Sequence, residues 1–171
     1  PHDYLHLVPQ EIRRSLGQYM TPSPIARYIL RAAGYRAEEG ILAKRLCDPA
    51  CGSGVFLVEA VRTYLQALNE AGIPVGQWYP KVAASVLGID VDPIACLYAR
   101  FNLSIVLAPA LLSWAAANPR RSPEPLPIFE KDTLSSVAAE MEEPGIVESP
   151  APEPRLAGEL DLVVGNPPYC K

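Results

Sequence analysis

The sequence predicts an α/β protein with a doubly wound, mostly parallel sheet. Three observations support this fold class. Short apolar runs alternate with longer segments of helical periodicity, as in strand–helix–strand units. Two of the apolar runs end in an acidic residue, Asp48 and Asp90, and a glycine-rich turn follows the first. The chain has 171 residues, 49% of them hydrophobic and 20% charged, so one domain with a substantial core is expected.

The first half of the chain is predicted to contain two helices with a strand between them. The first helix begins after the Thr-Pro-Ser-Pro segment at 21–24 and ends at Gly34. A buried strand follows at 44–47, and a second helix runs over 55–71, closed by Gly72. The apolar spacing predicts which residues face the core: Ile25, Tyr28, Ile29 and Ala32 in the first helix, and Phe56, Ala60, Tyr64, Ala67 and Leu68 in the second.

The second half is predicted to add three strands. A loop at 73–84 leads to a strand at 86–89, and a helix then begins with Asp92 as N-cap and Pro93 at its first position. That helix is expected to end near 107, before a loop at 109–126 and a strand at 128–130. We expect a helical turn or two at 133–141, a mobile insertion of prolines and acids at 142–158, and a strand at 160–164.

The composition and charge of the chain restrict its expected partners and its expected cellular compartment. The net charge is −4, with 12 basic and 9 acidic residues in 1–121 against 3 basic and 10 acidic in 122–171. A large DNA-binding surface on this chain is therefore not indicated, and a separate region is expected to carry most DNA contacts. Four cysteines without a disulfide framework indicate a reducing cytoplasm, and without paired spacing or a nearby histidine they do not predict a metal site. No apolar run reaches about 18 residues, so no membrane span is expected.

The turn at 48–54, Asp-Pro-Ala-Cys-Gly-Ser-Gly, is the first candidate binding site. Gly52 and Gly54 permit a close backbone approach to a ligand, and the start of the following helix offers unpaired N–H groups. Asp48 at the strand end would repel a pyrophosphate but suits the ammonium group of an amino acid. The alternative interpretation is a tight connection without a ligand.

Two further acids follow predicted strands. Asp90 ends the strand at 86–89, where an acid can accept both hydroxyl protons of a ribose. Its alternative role is to cap the next helix together with Asp92. Asp132 follows the strand at 128–130 and can accept from an adenine amino group, unless it is only a solvated turn residue.

The segment Asn166-Pro167-Pro168-Tyr169 carries the predicted chemistry. The two prolines fix the backbone and remove two donors, so local carbonyls are left to act as acceptors. Together with the Asn166 amide oxygen they can hold both hydrogens of one amino group. Tyr169 can stack on a flat base taken out of a duplex. The alternative is a rigid loop after a strand.

These segments, in this order, resemble the adenine-specific DNA methyltransferases of the gamma-type arrangement found in restriction–modification systems. The segments are Gly-Gln-Tyr-Met-Thr-Pro at 17–22, the turn at 48–56, Gly-Ile-Asp-Val-Asp-Pro at 88–93, Lys-Asp at 131–132, and Asn-Pro-Pro-Tyr at 166–169. The resemblance implies an incomplete Rossmann-like fold with about four strands. It divides the chain into an N-terminal cofactor-closing segment and helix at 1–40 and a cofactor-binding core at 41–171.

The resemblance also implies a cofactor, S-adenosylmethionine, and roles for the site residues. Tyr19 and Thr21 would close over the methionine end, and the turn residues Asp48, Ala50, Cys51, Gly52 and Gly54 would surround the amino acid and sulfonium. Asp90 would take the ribose and Asp132 the adenine amine, with Phe56 and Val91 packing nearby. Asn166, Pro167, Pro168 and Tyr169 would hold the target adenine.

The implied partner is double-stranded DNA, bound through a target recognition region outside this chain. The chain alone is expected to be inactive. It is also expected either to self-associate through the exposed edge of its fourth strand or to keep the region after Gly165 disordered. Two other functions remain open. The Asn-Pro-Pro-Tyr loop also occurs in protein-glutamine and RNA methyltransferases, and the chain could be a non-catalytic subunit that binds S-adenosylmethionine.

Overall fold

Within the part of the chain that the structure describes, the sheet is four-stranded and entirely parallel, which confirms the predicted fold class. A computed structural model of the chain describes residues 21–133 and 159–167. The strands are β1 (Leu46–Asp48), β2 (Val86–Asp90), β3 (Ile128–Glu130) and β4 (Leu162–Val163). Their spatial order is β3-β2-β1-β4, so the two central strands are the first two in sequence. The chain therefore winds outward in both directions from β1 and β2.

Four α-helices accompany the sheet in the described residues. They are α1 (Ser23–Ala32), α2 (Val55–Glu70), α3 (Trp78–Ser85) and α4 (Pro93–Ala117), with short 3-10 segments at Ala37–Glu39, Ile41–Ala43 and Val75–Gln77. Side chains alternate across each strand, and Leu46, Val86 and Ile128 from one face of the sheet are buried in the core cluster. Residues of α1, α2 and α4 complete that cluster.

Helix α2 follows the sequence prediction closely. Its five predicted core residues, Phe56, Ala60, Tyr64, Ala67 and Leu68, are all buried. Gly72, with φ of 66°, comes just after the helix, as predicted. The apolar spacing therefore identified the buried face of this helix correctly because large side chains dominate that face.

Helix α1 presents a different face to the core than its apolar pattern predicted. Ile25 is 50% exposed and Tyr28 72% exposed, whereas Ala26 and Leu30 are buried. The reason is a polar contact with α2: Ser23 and Arg27 donate to the buried Glu59 carboxylate at 2.6 and 2.8 Å. This contact fixes the rotation of α1, and the small Ala26 allows the two helices to approach.

The Glu59 carboxylate on α2 is only 2% exposed and has three donors. Arg62 is the third, at 2.7 Å. Burial raises the pKa of Glu59, but hydrogen bonds from Arg27 and Ser23 and the charges of Arg27 and Arg62 outweigh it, so the pKa is lowered. The ionised carboxylate therefore ties α1 to α2.

The predicted loop at 73–84 is wrong, because Trp78–Ser85 forms α3. Pro80 lies in the first helical turn, where its missing N–H breaks no intrahelical bond. Trp78 and Tyr79 both contribute to packing. Trp78 Nε1 donates to the Ile73 carbonyl at 2.7 Å, and the Tyr79 ring lies 6.4 Å from that of Trp114.

Helix α4 is longer than predicted and runs to Ala117, through Pro109 and into the predicted loop at 109–126. Pro109 is exposed and removes one N–H from the helix, while Ala110 beyond it is buried and Trp114 packs on the core. Packing of this last part of the helix outweighs the lost bond. By length and composition α4 could cross a membrane, with a mean hydropathy of 1.6, but its inner side packs in the core.

The remaining expectations concern strand ends and segments elsewhere in the chain. β1 begins two residues later than predicted, and β4 covers only Leu162–Val163 rather than 160–164. The predicted insertion at 142–158 lies outside the described residues, as does all but Thr133 of the predicted turn at 133–141.

Candidate cofactor-binding and catalytic site

The carboxyl ends of the strands place the predicted acidic residues along one edge of the sheet. Asp48 ends β1, Asp90 ends β2, and Asp132 comes two residues after β3. Gly165 and Asn166 follow β4. Because the strands are parallel, these ends share an edge, which is where α/β sheets bind ligands.

The glycine turn after β1 has one residue that faces open space and one that serves packing. A methyl group on Gly52, with φ of 53°, would have no atom of residues 21–133 or 159–167 within 4 Å. A methyl group on Gly54, with φ of 84°, would lie 3.1 Å from the Ala99 side chain of α4. The structure thus leaves the Gly52 backbone open to a ligand, and places Gly54 where α2 and α4 approach each other.

Asp90 holds the glycine turn against the neighbouring strand. Its Oδ2 accepts from the Gly52 N–H at 2.7 Å and its Oδ1 accepts from the Asp92 N–H at 3.0 Å. The predicted capping role of Asp92 is confirmed, because its Oδ1 accepts from the Ile94 N–H at 2.9 Å. Asp90 therefore shapes the site in addition to presenting a carboxylate at the sheet edge, and a carboxylate has lone pairs for further donors.

Asp48 is a buried acid with an incomplete set of partners. It is 1% exposed; Oδ1 accepts from the Ala50 N–H at 3.2 Å, and Oδ2 has no hydrogen-bond partner within residues 21–133 and 159–167. Burial raises the pKa of Asp48 to about 7; the Ala50 N–H opposes this shift and the charge of Asp90 adds to it. A cationic donor at Oδ2 would offset the cost of burying this charge.

The loop after β4 passes close to the Asp48 side chain. A methyl group on Gly165 would come 2.7 Å from Asp48 Oδ1. The next residue, Asn166, donates from Nδ2 to Thr21 Oγ1 at 3.2 Å. Three segments that are distant in sequence therefore meet at one place. They are the residues just before α1, the end of β1 and the loop after β4.

The other predicted site residues vary in accessibility. Phe56 and Cys51 are 2% and 4% exposed, so both side chains lie behind the surface of the site. Val91 is 65% exposed, and Asp132 and Pro167 are exposed as well. Three predicted residues lie outside the described part of the chain: Tyr19, Pro168 and Tyr169.

Two polar residues that the sequence analysis missed brace the glycine turn. Asn102 of α4 donates from Nδ2 to the Ser53 carbonyl at 3.0 Å. Thr133, just after β3, donates to the Pro49 carbonyl at 3.3 Å. An amide within an otherwise apolar helix was the available signal for Asn102, whereas Thr133 has no distinguishing sequence feature.

The three described cysteines, Cys47, Cys51 and Cys96, are buried. Burial and then the charge of Asp48 raise the pKa of Cys47 to about 11, and the same two causes, in that order, lead the increase for Cys51. The Cys96 thiol lies 3.6 Å from the Asp90 carbonyl. Within residues 21–133 and 159–167, His, Cys, Asp and Glu side chains do not gather in threes as metal ligands do.

A cleft of about 190 Å³ lies away from this site. Its lining includes Arg45, Ser85 and Leu160, which precede β1, β2 and β4. The cleft is therefore at the amino ends of the strands, at the opposite end of the sheet from the acidic residues described above.

A parallel sheet with helices and an acidic, glycine-bearing carboxyl edge is the incomplete Rossmann-like fold of a methyltransferase. The chain belongs to the N-6 DNA methylase family, which it matches over residues 5–171. The resemblance to adenine-specific DNA methyltransferases in the sequence analysis is thereby confirmed.

Similar proteins come from bacterial methylation systems. The adenine-specific methyltransferase PglX of Streptomyces coelicolor is 27% identical over 179 residues, covering 92% of this chain and 15% of that protein. The type II methyltransferase M.BstVI of Geobacillus stearothermophilus is 24% identical over 170 residues, covering 96% of this chain and 26% of that protein. This chain thus spans about a quarter or less of each relative's length.

A solved structure with a similar chain path is a modification subunit of a putative type I restriction enzyme from Vibrio vulnificus YJ016. It has a TM-score of 0.44 and 21% sequence identity, and the match covers 77% of this chain and 22% of that subunit.

Proposed function

We propose that this chain supplies the cofactor-binding and catalytic part of an enzyme that methylates the exocyclic amine of adenine in DNA, within a restriction–modification system. The observation that carries the proposal is the meeting of Thr21, Asp48 and Asn166 at the carboxyl edge of the sheet. A methyltransferase must hold its methyl donor and its acceptor amine side by side. Gly165 approaches Asp48 so closely that an added methyl would meet its carboxylate, which supports neighbouring sites for the methyl donor and the acceptor amine.

The chemistry of the acidic edge fits S-adenosylmethionine. The buried Asp48 Oδ2 suits the α-ammonium of the cofactor, and the open Gly52 backbone suits its amino acid part. Asp90, at the end of β2, would accept from the ribose hydroxyls, and Asp132 and the exposed Val91 would contact the adenine. Tyr19 and Thr21 would close over the methionine end. When bound, this cofactor supplies a methyl group made electrophilic by a positively charged sulfur.

Asn166 and Pro167 provide the acceptors for the target amine. The Asn166 amide nitrogen donates to Thr21, which turns the amide oxygen away from that contact. This oxygen and the Pro167 carbonyl would each accept one hydrogen of the adenine amine. Holding both hydrogens orients the nitrogen lone pair, and orientation of this kind supplies a large part of catalysis.

The segment 166–169 also suits a base removed from its duplex. Pro168 contributes no N–H that would compete for the acceptors, and Tyr169 would stack on the extruded adenine. We expect the enzyme to act in the cytoplasm on double-stranded DNA, through a target recognition region outside this chain. We further expect the 171-residue chain alone to be inactive, since misplacement of Asn166 by about 1 Å would cost much of the rate.

The test compares methyl acceptors. The full protein that carries this chain is incubated with methyl-labelled S-adenosylmethionine and, separately, unmethylated duplex DNA, RNA and a glutamine-containing protein substrate. We expect label only in DNA and only on adenine. The Asn166→Ala variant should lose this activity, and Asn69→Ala, an exposed asparagine at the end of α2, should retain it.

Label in RNA or protein would replace the proposal with one of the two related activities. Binding of S-adenosylmethionine without transfer to any acceptor, in an otherwise folded protein, would indicate a non-catalytic subunit.

A further inference from the structure

The outer side of α4 carries an apolar surface that the proposed enzymatic site does not use. Five large side chains along this helix are between 53% and 71% exposed: Ile94, Leu97, Phe101, Ile105 and Leu112. The opposite side of the same helix is buried against the core through residues such as Ala99, Leu103 and Leu107. Helix α4 is therefore apolar on both sides, although only one side has a partner in the described structure.

Four of the five exposed side chains, together with the half-buried Tyr98 and Ala108, follow the spacing of a coiled coil, and Leu97 lies beside this stripe. Alternate steps of four and three residues connect the heptad stripe, which we define as Ile94, Tyr98, Phe101, Ile105, Ala108 and Leu112. Such a repeat keeps one seam of a helix facing a partner helix over its whole length. A surface helix facing only water has no need of this spacing, because its outer side is ordinarily polar.

The charge distribution restricts the kind of partner. Arg100 is the one charged residue among the 25 of α4, and its guanidinium donates to the Ile128 carbonyl of the sheet. The heptad stripe itself has no charge with which to bind phosphate groups or lipid head groups. Its chemistry fits another uncharged apolar helix.

The heptad stripe is complementary to itself in an antiparallel arrangement. Its members form three pairs equidistant from Leu103 along the helix: Ile94 with Leu112, Tyr98 with Ala108, and Phe101 with Ile105. A two-fold axis at Leu103 would place each residue opposite the other member of its pair. The large Tyr98 would then face the small Ala108, as interdigitating helices require.

We propose that two copies of this chain associate through an antiparallel pairing of their α4 helices along the heptad stripe. The heptad stripe presents on the order of 500–600 Å² per copy, which is the upper end of the range for the largest apolar patch on a typical monomer, a patch that is often functional. Pairing would remove about 1,000–1,200 Å² in total, near the lower limit for a specific interface. The free edge of β4 is a weaker candidate, because that strand has only two residues.

The first test measures solution mass with matched charge substitutions. Sedimentation equilibrium of the 171-residue chain at concentrations up to about 100 μM should give a dimer. Ile105→Glu should give a monomer with an unchanged circular dichroism spectrum, because this side chain is 59% exposed. Ile25→Glu is the control: it makes the same change at an exposed site on α1, so the dimer should persist.

The second test fixes the direction of pairing by cysteine cross-linking. Ile94 and Leu112 lie about 27 Å apart along one helix, so an internal disulfide between them is impossible. A mixture of Ile94→Cys and Leu112→Cys chains should form cross-linked dimers of one chain with the other. Each variant alone should remain uncross-linked at this position.

Three results would overturn the proposal. They are a monomer throughout the concentration range, a dimer that survives Ile105→Glu, or cross-linking by either cysteine variant alone. Because none of these measurements involves methyl transfer, their failure would leave the proposed enzymatic function intact.

Discussion

Replacing Asp48 with asparagine should stabilise the protein above about pH 7 in the absence of ligand, and the stability of the variant relative to the wild type should increase as pH rises toward that value. Asp48 is 1% exposed, and its Oδ2 has no hydrogen-bond partner in the described residues. Ionising such a group within the fold is unfavourable. Asparagine keeps the acceptor for the Ala50 N–H but carries no charge.

The expected change in the free energy of unfolding follows from the pKa of Asp48. Burial raises the pKa of Asp48 from 3.8 to about 7, which corresponds to about 4 kcal/mol at about 1.36 kcal/mol per unit. A carboxyl group with a raised pKa in the folded state favours folding fully below its unfolded-state pKa. That contribution is lost as pH rises from about 4 to about 7, and remains lost above. The unpartnered asparagine amide adds a cost of about 1–3 kcal/mol that does not depend on pH.

The assay is urea unfolding of both proteins between about pH 4 and pH 8. The free energy of unfolding of Asp48→Asn minus that of the wild type should increase by about 4 kcal/mol across this range. The control Glu38→Gln removes one negative charge from an exposed position, so comparing the two variants isolates the effect of burial. A difference that stays constant with pH would refute the inference that Asp48 is a strained, buried acid.

Three more substitutions probe the contacts around the site. Gly88→Ala should lower the free energy of unfolding in urea by about 1–3 kcal/mol. The added methyl would lie 2.6 Å from a side chain of α2 and 2.7 Å from a side chain of β3. Unchanged stability would contradict this packing. Gly165→Ala should lower methyl transfer by the full protein more than it lowers stability, since its methyl would press on the Asp48 carboxylate; normal rates would show that the two do not touch. Thr21→Val should lower kcat by removing the acceptor that orients Asn166, whereas Thr21→Ser should retain activity; equal rates for both variants would exclude this orienting role.

The sequence allowed the sheet and its acidic edge to be predicted well, because both depend on local patterns. Asp48 and Asp90 end short apolar runs, and Asp92-Pro93 is a strong helix start. Each signal lies within a few residues of the structure that it specifies. Strand ends were less accurate because pairing with neighbours decides them.

The errors arose where distant contacts overrule local patterns. Residues 25, 28 and 29 of α1 look like a buried face, but bonds from Ser23 and Arg27 to Glu59 rotate the helix the other way. Pro109 looks like a helix stop, although packing beyond it keeps α4 intact. Neither contact can be deduced from neighbouring residues.

The same reasoning applies to the candidate site. The sequence identified which residues lie at the sheet edge, but not that Gly165 approaches Asp48 or that Asn166 donates to Thr21. These contacts join segments more than a hundred residues apart. They also determine whether the predicted cofactor site and the predicted catalytic loop lie close enough for methyl transfer.

Calorimetric titration with S-adenosylhomocysteine at two pH values tests the central claim, that this edge binds the cofactor through Asp48. Because the pKa of Asp48 is about 7, the carboxylate is mostly ionised at about pH 8 and mostly neutral at about pH 6. The wild type should bind about tenfold more weakly at the lower pH. Asp48→Asn should bind more weakly than the wild type at about pH 8 and show no such change with pH. Equal affinity of the two proteins at about pH 8, or wild-type affinity independent of pH, would contradict the account.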